Sequence, residues 1–93
     1  MTEQQTTITA DNAERKSRFV NSARLATVGD EIVFDFFHIL DHSGILQGRF
    51  SFSPGHAKRL ARVLAEHLSI YEKQFGPIKE SPEPPGQIGF RPD

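Results

Sequence analysis

SPGHAKRLARVLAEHLSIYEKQFGP, residues 53–77, carries one complete helix, from its first capping side chain to its stop. Ser53 supplies a capping oxygen, and Pro54 fits the first turn, where no backbone N–H is required. At the far end Gly76 suits the left-handed position after the last turn, and Pro77 prevents continuation. Ala57, Ala61, Leu64, Leu68, Tyr71 and Phe75 recur at spacings of four and three, with Leu60 alongside, so they form one lengthwise seam expected to be buried. Val63 and Ile70 flank that seam together with His56, His67 and Gln74. They widen the apolar surface toward half the circumference, more than one sheet face needs.

Upstream, residues 19–28 and 31–40 read as strands joined by Gly29-Asp30, a two-residue turn whose leading glycine suits type II′. Asp41-His42-Ser43-Gly44 reads as a four-residue turn, with Gly44 taking the positive φ, ahead of a third strand over 45–52. The fold class is therefore α+β: a three-stranded antiparallel meander followed by one long amphipathic helix, β-β-β-α. A four-residue second turn sets Leu40 opposite Ile45, while the first turn pairs Arg24 with Asp35 and Ala23 with Phe36. One face then collects Val20, Ala26, Val33, Phe37, Ile39, Leu46, Phe50 and Phe52. Phe19, Ala23, Leu25, Ile32, Phe34, Phe36 and Ile45 share the other with Asn21, His38, Gln47, Arg49 and Ser51. Both faces want cover, which one helix cannot supply. A symmetric homodimer covering the second face, the helix flank or both resolves the excess. The alternative is that the N-terminal arm, or Ile88 and Phe90 of the tail, folds back over the sheet; a slip of the second turn by one residue would also move the third strand's side chains to the other face.

The polar segment 1–17, which includes Arg15 and Lys16, lacks a helix or strand period and reads as a flexible arm. Five of the six prolines fall within residues 77–93, so 79–93 reads as a flexible tail around one domain, 18–78. That domain is small enough to have a marginal core. A net charge of -1 offers no global attraction to polyanions, and the absence of cysteine excludes disulfides and thiolate metal sites. No apolar run approaches the ~18 residues of a membrane span, so a cytoplasmic protein without membrane contact is expected.

The stretches Phe19-Val20-Asn21 and Glu31-Ile-Val-Phe-Asp-Phe, with the helix opening Ser53-Pro54-Gly55-His56-Ala57-Lys58-Arg59-Leu60 and the ending Tyr71-Glu72-Lys73-Gln74-Phe75-Gly76-Pro77-Ile78, carry a resemblance. Together they resemble the small prokaryotic domain of unknown function catalogued as thirty-four sixty-seven, over roughly residues 19–78. That pattern usually has Glu where this chain has Gly55, an acid that would suit the helix N-terminus. The resemblance implies the fold and carries no activity with it.

No stretch spells out a reaction. Asp41-His42-Ser43 has the residue types of a triad, but consecutive turn residues point apart and cannot form a relay. His38 and His42 with Asp41 lack a surrounding ligand shell, and His56 and His67 stand ~16 Å apart along the helix, too far to share one ion. Neither a cofactor nor a metal is expected. Lys58, Arg59 and Arg62 oppose the helix dipole, and with Ser53 and His56 they offer a contact point for an anion or a protein partner. Against that, Arg62 has Glu66 one turn later, and Lys58 or Arg59 has acids within reach. Phe34, Phe36, His38 and Arg49 together resemble a base-stacking sheet face, which the near-neutral charge disfavours. Pro82 to Pro85 has PxxP spacing, suited to docking on a protein. The reading is a non-enzymatic homodimeric binding or adaptor module, with a nucleic-acid binder as the alternative from another class.

Overall fold

The structure, a computed structural model, describes residues 5–82 and residue 89. Ile88, Phe90 and most of the proline spacing fall outside these residues. Strands β1 (Ser22–Val28), β2 (Glu31–Leu40) and β3 (Ser43–Phe52) form an antiparallel sheet in the order β1-β2-β3, followed by helix α1 (Pro54–Phe75). The β-β-β-α order is the one the sequence predicts.

The first hairpin follows from its turn. Gly29 takes φ +62, whereas Asp30 keeps a negative φ, as a type II′ turn requires. Arg24 then lies opposite Asp35 and Ala23 opposite Phe36, the expected register. Regular strand begins at Ser22 rather than at 19, although the Asn21 amide still donates to the Phe37 carbonyl at 2.9 Å.

The second hairpin departs from expectation. Asp41, not Gly44, takes the left-handed position (φ +55), so the turn has two residues and Leu40 faces Ser43 instead of Ile45. Aspartate tolerates that conformation, which makes the shorter turn accessible. A bulge at Gln47 then shifts the pairing by one: Phe37 faces Leu46, but Phe36 faces Gly48 and Asp35 faces Arg49. Residues 48–52 consequently lie on the faces opposite to those expected. Phe50 and Phe52 join Phe34 and Phe36, while Arg49 and Ser51 join Phe37. Two local gains accompany the shift. Arg49 meets the carboxylate of Asp35, and the Phe50 ring lies over Gly48, where a Cβ would stand only 2.8 Å from it.

Helix α1 is capped as predicted. The His56 amide donates to Ser53 Oγ (3.2 Å), Pro54 opens the first turn, and the Gly76 amide donates to the Glu72 carbonyl (2.8 Å) with Gly76 at φ +97. Replacing Ser53 with alanine should destabilise the fold by ~1 kcal/mol in denaturant titration, and Ser53→Asp should recover most of that loss.

A single copy does not bury the seam. Only Ala57 and Leu60 are half-buried in α1; Leu64 (56% exposed), Tyr71 (47%) and Phe75 (65%) stay open. The connection explains this. Ser53 alone separates β3 from α1, in extended backbone (φ −66, ψ 150), leaving no loop that could fold the helix back across the sheet. Contact with the sheet runs through the helix start, where the His56 ring meets Phe52 edge-on at 5.2 Å. Phe37 and Asp35 are the buried residues among those described, so one chain gathers very little core.

Candidate functional site

The two sheet faces differ in kind. On one, Phe34 stacks against Phe52 (4.7 Å between centroids) and touches Phe36 (5.7 Å), which in turn reaches Phe50 (6.1 Å). This aromatic face is half-open: Ile32, Phe34, Phe36 and Phe52 are half-buried, and Phe50 and Leu25 are exposed. At its edge Phe19, three residues before β1, packs edge-on against His38 at 5.2 Å. Arg18 Nη1 donates to the Gln47 carbonyl (3.2 Å), so the bulge residue anchors the incoming chain. Residues 18 and 19, which belong to the domain and not to the arm of residues 1–17, therefore lean on the sheet, and Phe19 itself remains 67% exposed.

The other face is centred on a carboxylate. Asp35 is buried and accepts from two arginines across both neighbouring strands. Arg49 grips it as a fork, Nε on Oδ1 and Nη2 on Oδ2 (3.1 Å), and Arg24 Nη2 adds a further bond to Oδ2 (3.1 Å). The Arg49 guanidinium is the main cause that holds the Asp35 carboxyl below its ordinary value of 3.8; burial opposes the shift and Arg24 reinforces it. Asp35 in turn raises the affinity of Arg49 for its proton.

A carboxyl whose pKa is lower folded than unfolded contributes stability that is fully present above the unfolded value and is lost as pH falls through the folded one. Acid unfolding of the native sequence should therefore steepen below about pH 4, and Asp35→Asn should flatten that limb while weakening the fold at neutral pH. An unchanged acid limb in the variant would remove Asp35 from this role.

Arg49 is thus separated from Phe34, Phe36 and His38. The grouping of all four as one nucleic-acid face does not form, because the bulge carries the guanidinium to the opposite side of the sheet. His42 sits in the exposed turn beside Asp41, away from the Phe19 contact that occupies the His38 ring. Among the described residues no cluster of three His, Asp or Glu is placed to hold a metal ion, and no helix is long and apolar enough to cross a membrane.

At the helix start, Ser53, His56, Lys58, Arg59 and Arg62 lie within three turns, all exposed. Their groups are partly engaged: Arg59 Nη2 stands 3.3 Å from His56 Nδ1, and Arg62 Nη1 pairs with Glu66 Oε1 at 2.7 Å. No acid lies in the first turn, so the N-terminal half of α1 remains cationic. At the other end Glu72 Oε2 accepts from the Ile78 amide (2.9 Å), folding the chain beneath the last turn. His67, Leu68, Tyr71, Phe75, Pro77 and Ile78 line an open apolar hollow of about 450 Å³ there.

Sequence reasoning missed one bracing residue. Both polar atoms of the Asn21 side chain engage the backbone of Ile39, Nδ2 donating to its carbonyl and Oδ1 accepting from its amide, each at 2.8 Å. The amide thereby imitates a strand residue and extends the β1–β2 ladder. An asparagine just outside an edge strand was the available signal.

These features define a small β-β-β-α domain in which Asp35, Glu66 and Glu72 each engage a neighbouring group. Residues 1–80 match the model of a family described as a protein of unknown function, DUF3467, and the chain belongs to that family. No curated protein and no solved structure matches it.

Proposed function

We propose that the chain is a non-catalytic, cytoplasmic homodimer that works as a small binding or adaptor module. One observation carries the reading: the apolar seam of α1, from Leu64 to Phe75, stands open to water in a single copy. A surface of that kind marks an association site. The chemistry-bearing side chains support binding over catalysis, because Asp35, Glu66 and Glu72 are each taken up by a neighbour that braces the fold. Contact with a protein partner is assigned to the cationic helix start, through Arg59 and Arg62, with the proline-rich tail as the second contact.

Light scattering across a dilution series tests the pairing. A mass of twice 10.5 kDa is expected, and a strict monomer at high concentration overturns the proposal. For the binding role, native extract is passed over the wild-type chain and over Arg59→Glu in parallel. A partner held by the first and lost by the second supports it, and equal retention removes the helix start from the contact surface.

A further inference from the structure

We propose that the second copy lies antiparallel along α1, with the two helices related by a two-fold axis near Glu66, so that the C-terminal half of each covers the aromatic sheet face of the other. The inference rests on the homodimer reading and deepens it by specifying the interface.

The argument starts from volume. Spacings of four and three alternate from Ala57 to Phe75, the alternation of a helix-pair seam. Along it the side chains grow from small to large: Ala57, Ala61, Leu64, Leu68, Tyr71, Phe75. A parallel partner would set alanine against alanine at one end and crowd ring against ring at the other. An antiparallel partner centred at Glu66 sets Ala57 against the partner's Phe75, Ala61 against the partner's Tyr71, and Leu64 against the partner's Leu68. Every layer then joins small with large or medium with medium, as close packing requires.

Charge agrees with volume. Lys58 and Glu72 occupy the same flank of the seam, and both are exposed; the Ile78 amide on Glu72 Oε2 leaves the carboxylate its negative charge. Antiparallel pairing brings Lys58 beside the partner's Glu72 at both ends of the interface, whereas a parallel pair leaves cationic N-terminal halves side by side. The opposed helix dipoles favour the same direction.

The opposite flank decides where the sheets go. His56 and Leu60 lie on it and turn toward the chain's own sheet, through the His56–Phe52 contact and the half-burial of Leu60. Val63, His67 and Ile70 continue that flank beyond the sheet's reach, exposed. In the antiparallel pair the like flanks fall on one side, which sets the partner's Phe75, level with Ala57, toward Phe52 and Phe34, and the partner's Ile70 beside Val63. The open seam and the open aromatic face then cover each other. The area suffices: seam and flank side chains left half-exposed retain on the order of 100 Å² each. Val63, Leu64, Leu68, Ile70, Tyr71 and Phe75 with the aromatic face therefore approach the ~800 Å² per partner of a stable interface.

The chain contains no cysteine, so introduced thiols report without background. Lys58→Cys, Glu72→Cys and Ala61→Cys chains are treated with a short bis-maleimide, singly and with the first two mixed, after light scattering and circular dichroism have established mass and helix content. The expected result is a dimer in which the Lys58→Cys and Glu72→Cys mixture cross-links and no variant does so alone. Self-cross-linking of Ala61→Cys, or a dimer in which no pair links, overturns the antiparallel arrangement and leaves the homodimer standing. A monomeric wild-type chain overturns both. If the mixture is monomeric while the wild type is dimeric, the Lys58–Glu72 contact carries the pair, and restoration of the dimer by Lys58→Glu mixed with Glu72→Lys supports the same geometry.

Discussion

Leu68→Asp is expected to turn the paired chains into monomers. In the antiparallel seam Leu68 meets the partner's Leu64, and in a single copy it is 44% exposed, so pairing removes much of its surface from water. Fully burying a leucine contributes ~1.5–3 kcal/mol, pairing can bury only the part still exposed, and a symmetric interface contains the change twice, so the loss is about 1–3 kcal/mol before any cost of burying the carboxylate. That corresponds to a rise in the dimer Kd of about 10- to 100-fold, to which the buried carboxylate adds. Sedimentation equilibrium over a range of concentrations reads it directly. The freed helix should also lose circular dichroism intensity, since most helical stability in proteins comes from packing of the apolar face. Arg62→Ala is the matched control. It removes an exposed pair one turn apart, worth about 0.5 kcal/mol or less, and should leave the mass unchanged. Should Leu68→Asp keep both the dimer mass and the wild-type Kd, the seam is not where the copies meet.

What was legible in the sequence was whatever neighbouring residues decide among themselves. Ser53, Pro54, Gly76 and Pro77 bound the helix because capping is local, and Gly29-Asp30 fixed the first hairpin because a two-residue turn permits one register. The third strand escaped because two turn solutions competed. Gly44 offered one and Asp41 adopted the other; Gln47 then bulged, and neither step leaves a mark in the alternation of apolar residues. The site inherited that difference. Arg24 against Asp35 was readable from the first hairpin, but the fork from Arg49 required the bulge, and so did the gathering of Phe50 and Phe52 beside Phe34. The helix's placement was not legible either. An apolar stripe says that a face will be covered without saying by which chain, and the single-residue link at Ser53 leaves this one outside its own sheet.

Phe37 is the other position where a single change should be decisive. It is 4% exposed, the buried apolar residue among those described, flanked across the sheet by Ser22 and Leu46. Its ring lies on the same sheet face as Asp35, which holds Arg24 and Arg49. Truncation to alanine removes the transfer gain of a buried phenylalanine and leaves a cavity, a combined cost of ~3–5 kcal/mol. In a domain this small that is a large share of the whole folding free energy, which is typically about 5–15 kcal/mol. Phe37→Ala should therefore abolish cooperative urea unfolding at low protein concentration, and raising the concentration should restore part of it by mass action through the dimer. Phe50→Ala provides the contrast. Its ring is 55% exposed over Gly48 in one copy, so its cost should appear mainly at concentrations where the second copy covers the aromatic face. Equal losses from the two variants at every concentration would mean that the Phe37 side of the sheet is no more of a core than the open face.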